Sequence, residues 1–98
     1  MKIFVDADSC PSRVRDIVIE RAHKIGIEVV FIANRNIPVR DYPEISFYKV
    51  PQKDGAADQF ILENALPGDL VVTRDIPLAV GLVERSVYVI NDRGTEFT

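Results

Sequence analysis

No tryptophan occurs in the 98 residues, and cysteine, histidine and methionine occur once each. The lone cysteine, Cys10, excludes an intrachain disulfide, and one cysteine with one histidine cannot furnish the Cys/His set of a structural zinc site. No apolar run approaches the ~20 residues that a membrane-spanning helix needs. Neither sign of charge dominates: 12 Lys and Arg stand against 15 Asp and Glu, a formal charge of −3. The overall basic excess typical of a nucleic-acid binder is therefore missing, although acids gathered to hold a cation lower the net charge while basic residues elsewhere still meet phosphate. The sequence opens on a strand-like pattern instead of a charged leader and an apolar segment, so a cytoplasmic location is expected.

What is present is the balance of an ordinary globular domain, 47% hydrophobic and 28% charged. A chain of this length buries one core and has little room for a second lobe, so residues 1–98 read as a single domain whose site is built on the core scaffold itself. Internal repeats, low-complexity tracts and linkers are absent.

Short apolar runs alternate with stretches of helical period. Residues 2–5 (KIFV), 28–33 (EVVFIA), 46–50 (SFYKV), 70–73 (LVVT) and 87–90 (VYVI) read as strands. Between the first two, Val14, Ile17, Val18, Ala22 and Ile25 recur at helical spacing, with Pro11 suited to a first helical position and Gly26 to the residue beyond the end. "KDGAADQFILENALPGD" gives a second helix with Asp54 as N-cap, Ala57, Phe60, Ile61 and Ala65 on one face, and a Pro-Gly stop. "DIPLAVGLVER" gives a third, weakened by Gly81, while residues 34–44 and the closing "NDRGTEFT" read as loop. Continuously apolar strands alternating with helices predict an α/β fold, a three-layer α/β/α sandwich on a mainly parallel sheet of about five strands. In such sheets ligands bind beyond the carboxyl ends of the strands, where the strand order reverses.

The acids follow that rule. Asp6 and Asp8 lie just past the first strand, Asp54 and Asp58 past the third, Asp75 past the fourth and Asp92 past the fifth. Any one of them alone reads as a turn or cap residue. As a group, Asp6, Asp8, Asp58 and Asp75 share one edge, and crowded carboxylates must take up protons or be neutralised by cations. Mg²⁺ or Mn²⁺, hard ions that take oxygen ligands, are the expected cofactors. Asp69 falls on the opposite edge, and Asp41 reads as loop solvation.

Arg35, Lys53, Arg74 and Arg93 each follow a different strand and can meet phosphate beside the acids. Tyr42 and Tyr48 can stack on bases but read first as partly buried packing residues. Cys10 sits where a helix begins, a setting that can activate a thiol. His23, the only candidate base for it, is about a dozen residues along the same helix, too far at ~1.5 Å per residue to pair. Cys10 therefore reads as packing and His23 as helix surface.

At "VDADSCP", "DGAAD" and "VVTRDIPLA" the chain resembles the YaiI/YqxD family of small bacterial proteins, within the PIN-like nuclease superfamily. The family opening is usually DADACP, so Ser9 departs from it, and the closing "RGExYT" is matched by "RGTEFT". PIN domains have an Asp ending the first strand, an acid on a central helix and a T-x-D after the fourth strand; Thr73, Arg74 and Asp75 match the last. The resemblance implies a PIN-domain-like fold in which Asp6, Asp58 and Asp75 are metal-site acids, with Asp8 added, and Thr73 orients a ligand or water. Family members continue into further helix past the closing segment. The chain stops at Thr98, which leads us to expect a sheet edge or face that is less covered.

The function expected from this pattern is metal-dependent endonucleolytic cleavage of RNA or single-stranded nucleic acid, with Asp6, Asp8, Asp58 and Asp75 as catalytic and metal-binding residues. Thr73, Arg74, Lys53, Arg35 and Arg93 would contact substrate. Two alternatives stand beside it: a non-catalytic PIN-like module that binds RNA or protein, and a haloacid-dehalogenase-like phosphatase, whose strand-then-D-x-D opening would make Asp6 the nucleophile and Asp8 the acid and base.

Overall fold

Strands of Val, Ile and Phe without polar alternation must be covered on both faces, and the chain meets this demand by sending its crossovers to opposite sides. The computed structural model describes residues 1–97. The elements are β1 (Lys2–Asp6), α1 (Ser12–Ile25), β2 (Glu28–Ala33), β3 (Ile45–Lys49), α2 (Ala56–Asn64), β4 (Leu70–Val72), α3 (Ile76–Glu84) and β5 (Tyr88–Ile90), with a 3₁₀ turn, Ala7–Ser9, after β1. The sheet order is β3-β2-β1-β4-β5, and every neighbouring pair is parallel. The expected α/β architecture on five strands is the one found.

The topology fixes the layers. From β1 the chain steps outward to β2 and β3, then returns past β1 to β4 and β5. Right-handed crossovers in opposite directions deposit their connections on opposite faces. Thus α1 and the 34–44 loop pack with Val5, Val29, Phe31 and Val72 on one face. On the other, α2 and α3 pack Ile61, Leu78, Ala79 and Leu82 against Phe4, Ile32, Val71 and Val89.

The 34–44 loop takes the place of a helix. Ile37 is buried in it and Val39 and Tyr42 pack against the same core. It is held to α1 by His23, whose ring lies 3.7 Å from that of Tyr42 at an interplanar angle of 7°. His23 Nδ1 is 2.9 Å from Glu44 Oε1, and the Tyr42 hydroxyl donates to Glu20 Oε2 at 3.3 Å. Tyr42 is thus a packing residue, whereas Tyr48 is 54% exposed on β3, beside Phe60, and is not the buried residue the sequence suggested.

α1 is rotated relative to the face expected from its apolar spacing. Ile17 and Ile25 are exposed; Arg15, Ile19 and Ala22 are the buried stripe. Apolar residues at 14, 17, 18, 19, 22 and 25 fit two adjacent faces of a helix, and packing on β2 and β3 selects the one centred on Ile19. The half of that sheet face over β4 and β5 is the more open: Tyr88 is exposed and Ile90 half-buried.

The ends of α1 and α3 turn through left-handed backbone. Gly26 has φ +76° and its N–H reaches Ala22 O at 2.8 Å. After α3 the same region is taken by Ser86, φ 64°, the only non-glycine residue with positive φ among the described residues. The closing segment, expected as loop, returns along β5: Asn91 N–H donates to Thr95 O and Phe97 N–H to Val89 O, both at 2.9 Å, and Phe97 packs on the α2/α3 core. Thr98, the last residue of the matched "RGTEFT", lies outside the described residues.

Phe31→Ala, at a fully buried position, should lower unfolding free energy by about 3–5 kcal/mol in urea titrations followed by circular dichroism. Ser86→Gly should raise it by roughly 0.5–1 kcal/mol, since a left-handed backbone strains serine and not glycine.

Candidate functional site

The strand order reverses between β1 and β4, so connections leaving their carboxyl ends diverge and open a crevice. Asp6 is the last residue of β1, 7% exposed, and Thr73 follows β4, 1% exposed. The Thr73 hydroxyl donates to Asp6 Oδ2 at 3.0 Å and accepts the Asp75 N–H at 3.1 Å. One buried hydroxyl therefore fixes both acids at the ends of the two central strands. Asp75 is also the N-cap of α3, accepting the Leu78 N–H on Oδ1 at 2.9 Å. Asp75 also lines the crevice.

The crevice has a volume of about 390 Å³, and Asp6, Asp8, Asp58 and Asp75 all line it, together with Lys53 and Asp54. Asp58 comes from the first turn of α2. Asp54 does not cap that helix: the N-cap is Gly55, φ 79°, with no side-chain cap. The turn from Pro51 to Asp54, closed by Lys53 N–H to Pro51 O at 2.8 Å and Ala56 N–H to Lys53 O at 3.1 Å, delivers Asp54 to the crevice wall instead. Asp8 is tied by the Asn34 N–H to Oδ2 at 2.8 Å and faces Arg35 Nε at 3.6 Å. Asn34 has no signal in the sequence, because its contribution is a backbone N–H beyond β2.

The basic residues divide. Lys53 lies on the crevice wall. Arg35 is paired with Asp8 at its rim. Arg74 instead makes a two-point contact with Asp92, Nε to Oδ1 at 2.9 Å and Nη2 to Oδ2 at 2.8 Å, and with Arg93 lines a neighbouring cavity past β5. Asp92 is thereby held below the usual carboxylate range, chiefly by its hydrogen bond from Arg74. Asp69 accepts the Lys2 and Leu66 N–H groups at the opposite end of the sheet, away from the site. Cys10 is buried, with its thiol pKa raised by burial and by Asp92, and serves packing.

Crowding marks the acids electrostatically. Burial raises the Asp6 pKa above 3.8 despite the lowering contacts from Thr73 and Ser9, and the charges of Asp8 and Asp75 raise it further. Asp58 is pushed up to about 6, first by burial, then by a shared hydrogen bond with Asp75 and the charges of Asp75 and Asp6. Among the described residues no three His, Cys, Asp or Glu side chains converge closely enough to hold one ion by themselves. The donor set nevertheless suits a hard cation that keeps several waters and takes only one or two carboxylates.

Residues 4–98 match the family model described as an uncharacterised YaiI/YqxD family. The chain belongs to the YaiI/YqxD family. It is 52% identical, over its whole length, to a "UPF0178 protein" of Treponema denticola, and 47% and 43% identical to proteins of the same name from Treponema pallidum and Myxococcus xanthus. It spans 62%, 55% and 64% of these relatives' lengths. No solved structure matches it. No helix among the described residues is long and apolar enough to cross a membrane.

The Asp58 shift sets a pH dependence. Between about 4 and 6 the folded protein retains a proton that the unfolded chain has released, so stability is greatest below the unfolded value of 3.8 and declines as pH rises through about 6. Asp6 acts in the same direction. In divalent-free buffer, thermal melts should show this decline, and Asp58→Asn should flatten it.

Proposed function

We propose that the chain is a PIN-like, metal-dependent endonuclease that hydrolyses phosphodiester bonds of RNA or other single-stranded nucleic acid. The observation that carries this reading is the meeting of four carboxylates from three separated stretches at the switch-point crevice, where burial first and then neighbouring carboxylates raise the pKa of Asp6 and Asp58. Such crowding disfavours the ionised acids in the absence of a cation and favours Mg²⁺ or Mn²⁺ binding. Bound there, the ion supplies Lewis acidity and neutralises charge on the phosphoryl oxygens.

Asp6 and Asp75 would hold the ion, positioned by the Thr73 hydroxyl and the N-terminus of α3. Asp58, titrating near 6, is suited to accept a proton from the attacking water. Lys53, which also lines the crevice, would position the phosphate, and Asp8, already engaged by Asn34 and Arg35, would support the rim. Exposed Tyr48, beside Phe60 at 4.8 Å between ring centroids, is available to a base. The burial of Asp6 and its tie to Thr73 favour an orienting, ligating role over that of a phosphatase nucleophile. The second reading, a binding module without catalysis, draws on the engagement of Arg35 and Arg74 with acids of the chain itself.

Labelled single-stranded RNA and DNA incubated with the protein should be cut in Mn²⁺ and not in EDTA. Asp6→Asn and Asp75→Asn should each reduce the rate by about 10²-fold or more. Asp6→Asn should also raise the melting temperature without ion and remove the gain that Mn²⁺ gives the unsubstituted protein. Cleavage that survives both substitutions would refute the site, and a Mn²⁺ gain without cleavage would favour the binding module.

A further inference from the structure

The turn after β4 serves two cavities. Asp75 lines the acidic crevice, whereas Arg74, the residue before it, lines the cavity past β5, of about 330 Å³, together with Asn91, Asp92, Arg93 and Phe97. Both segments that build this second cavity are fixed by hydrogen bonds. The Thr73 N–H donates to Ile90 O at 3.0 Å and the Arg74 N–H to Ser9 Oγ at 3.4 Å, so the turn is tied to the end of β5 and to the 3₁₀ turn after β1. The loop that carries Arg93 closes on Asn91: its Oδ1 accepts the Arg93 and Thr95 N–H groups, both at 2.9 Å, and its carbonyl accepts the Gly94 N–H at 3.0 Å.

The charge of this cavity is opposite to that of the crevice. Its lining holds two guanidinium groups, Arg74 and Arg93, against one carboxylate, Asp92. Arg74 grips both oxygens of Asp92, at 2.9 and 2.8 Å, and the pair is unequal in exposure: the Asp92 side chain is 11% exposed and that of Arg74 56%. The acid is thus neutralised within the chain, while the contact engages two of the five N–H donors that a guanidinium carries. Arg74 is held in one orientation by it and keeps donors for a further partner. A fixed guanidinium beside a second one is the donor set that recognises phosphate oxygens. The ring of Phe97 adds apolar surface to the same cavity, which suits a nucleotide better than a bare ion.

We propose that the cavity past β5 is a phosphodiester subsite, in which Arg74 and Arg93 bind a backbone phosphate of the single strand beside the one held at the crevice. The phosphate chemistry stands on this cavity alone, while its place next to a cleaved bond rests on the nuclease reading. The two sites adjoin: Ser9 Oγ donates to Asp6 O at 3.1 Å and accepts the Arg74 N–H, and Asp75 follows Arg74 in the chain. A strand leaving the crevice over the turn after β4 reaches Arg74 first and the loop of Arg93 next. The Arg74–Asp92 pair then positions a phosphate donor, and does not withdraw it from use.

The test uses the whole chain in EDTA, where no strand is cut. Fluorescence anisotropy of a labelled oligothymidylate, measured over a salt series, gives both affinity and its salt dependence. Arg93→Gln and Arg74→Gln should each weaken binding roughly three- to tenfold and reduce the slope of log affinity on log salt by about 0.7, the counterion release of one single-strand phosphate contact. A merely structural role would leave that slope unchanged. Arg93 is exposed, so Arg93→Gln keeps the test open should Arg74→Gln, which strips Asp92 of its partner, fail to fold. Affinity and slope unchanged in Arg93→Gln overturn the site, as does an unsubstituted protein that binds no oligonucleotide. If the variants lose the melting shift given by inorganic phosphate over chloride yet keep their oligonucleotide affinity, the assignment to a strand is overturned. Loss of affinity and slope in a protein that cuts nothing in Mn²⁺ refutes the nuclease reading and supports the phosphate subsite.

Discussion

The chemistry of this fold depends on one buried hydrogen bond, from the Thr73 hydroxyl to Asp6 at the mouth of the two central strands. Parallel strands cannot be joined by tight turns, so their connections must leave the sheet, and at β1 and β4 they leave toward opposite faces. The gap that opens there is inherently polar at its floor. Thr73 is enclosed in it, donates to one acid and accepts the backbone of another, and thus sets two carboxylates from opposite ends of the sequence side by side. Asp58 joins them in the crevice, its pKa pushed up to about 6 first by burial and then by Asp75 and Asp6.

Much of the fold was legible because its signals are local. The run at 28–33 is β2 at the expected bounds, and the helix ending at Ile25 is closed by the Gly26 anticipated for that place. β3 starts one residue early, at Ile45, and β4 stops at Val72, since strand ends depend on pairing and not on composition. The placement of Asp6, Asp8, Asp58 and Asp75 at one crevice followed from the alternation of strands and helices alone. Asp54 misled because Asp before a helical run is an ordinary capping pattern, whereas Gly55, free to adopt positive φ, took the cap itself. Arg15 carried no signal: a charged residue beside Asp16 looks like the solvent side of a helix, and only the tertiary choice of face buries it.

The carboxyl edge of the sheet thus has two electrostatic characters. On one side, acids outnumber the single Lys53 that lines the crevice; past β5, Arg74 and Arg93 line the neighbouring cavity with Asp92. A polyanion attracted only by the second would be repelled by the first unless a divalent ion neutralised it. On the nuclease reading, cation and strand would be interdependent guests, each lowering the cost of admitting the other.

The return of residues 95–97 along β5 also governs what the sheet can recruit. Val89 gives its carbonyl to Phe97, and Glu96 bridges Ile90 in antiparallel sense, so the rim on that side is already occupied by the chain's own backbone. Strand addition by another polypeptide would have to peel this segment away and uncover Phe97. Among the described residues β3 is the other edge strand, so this five-stranded sheet has two unlike borders.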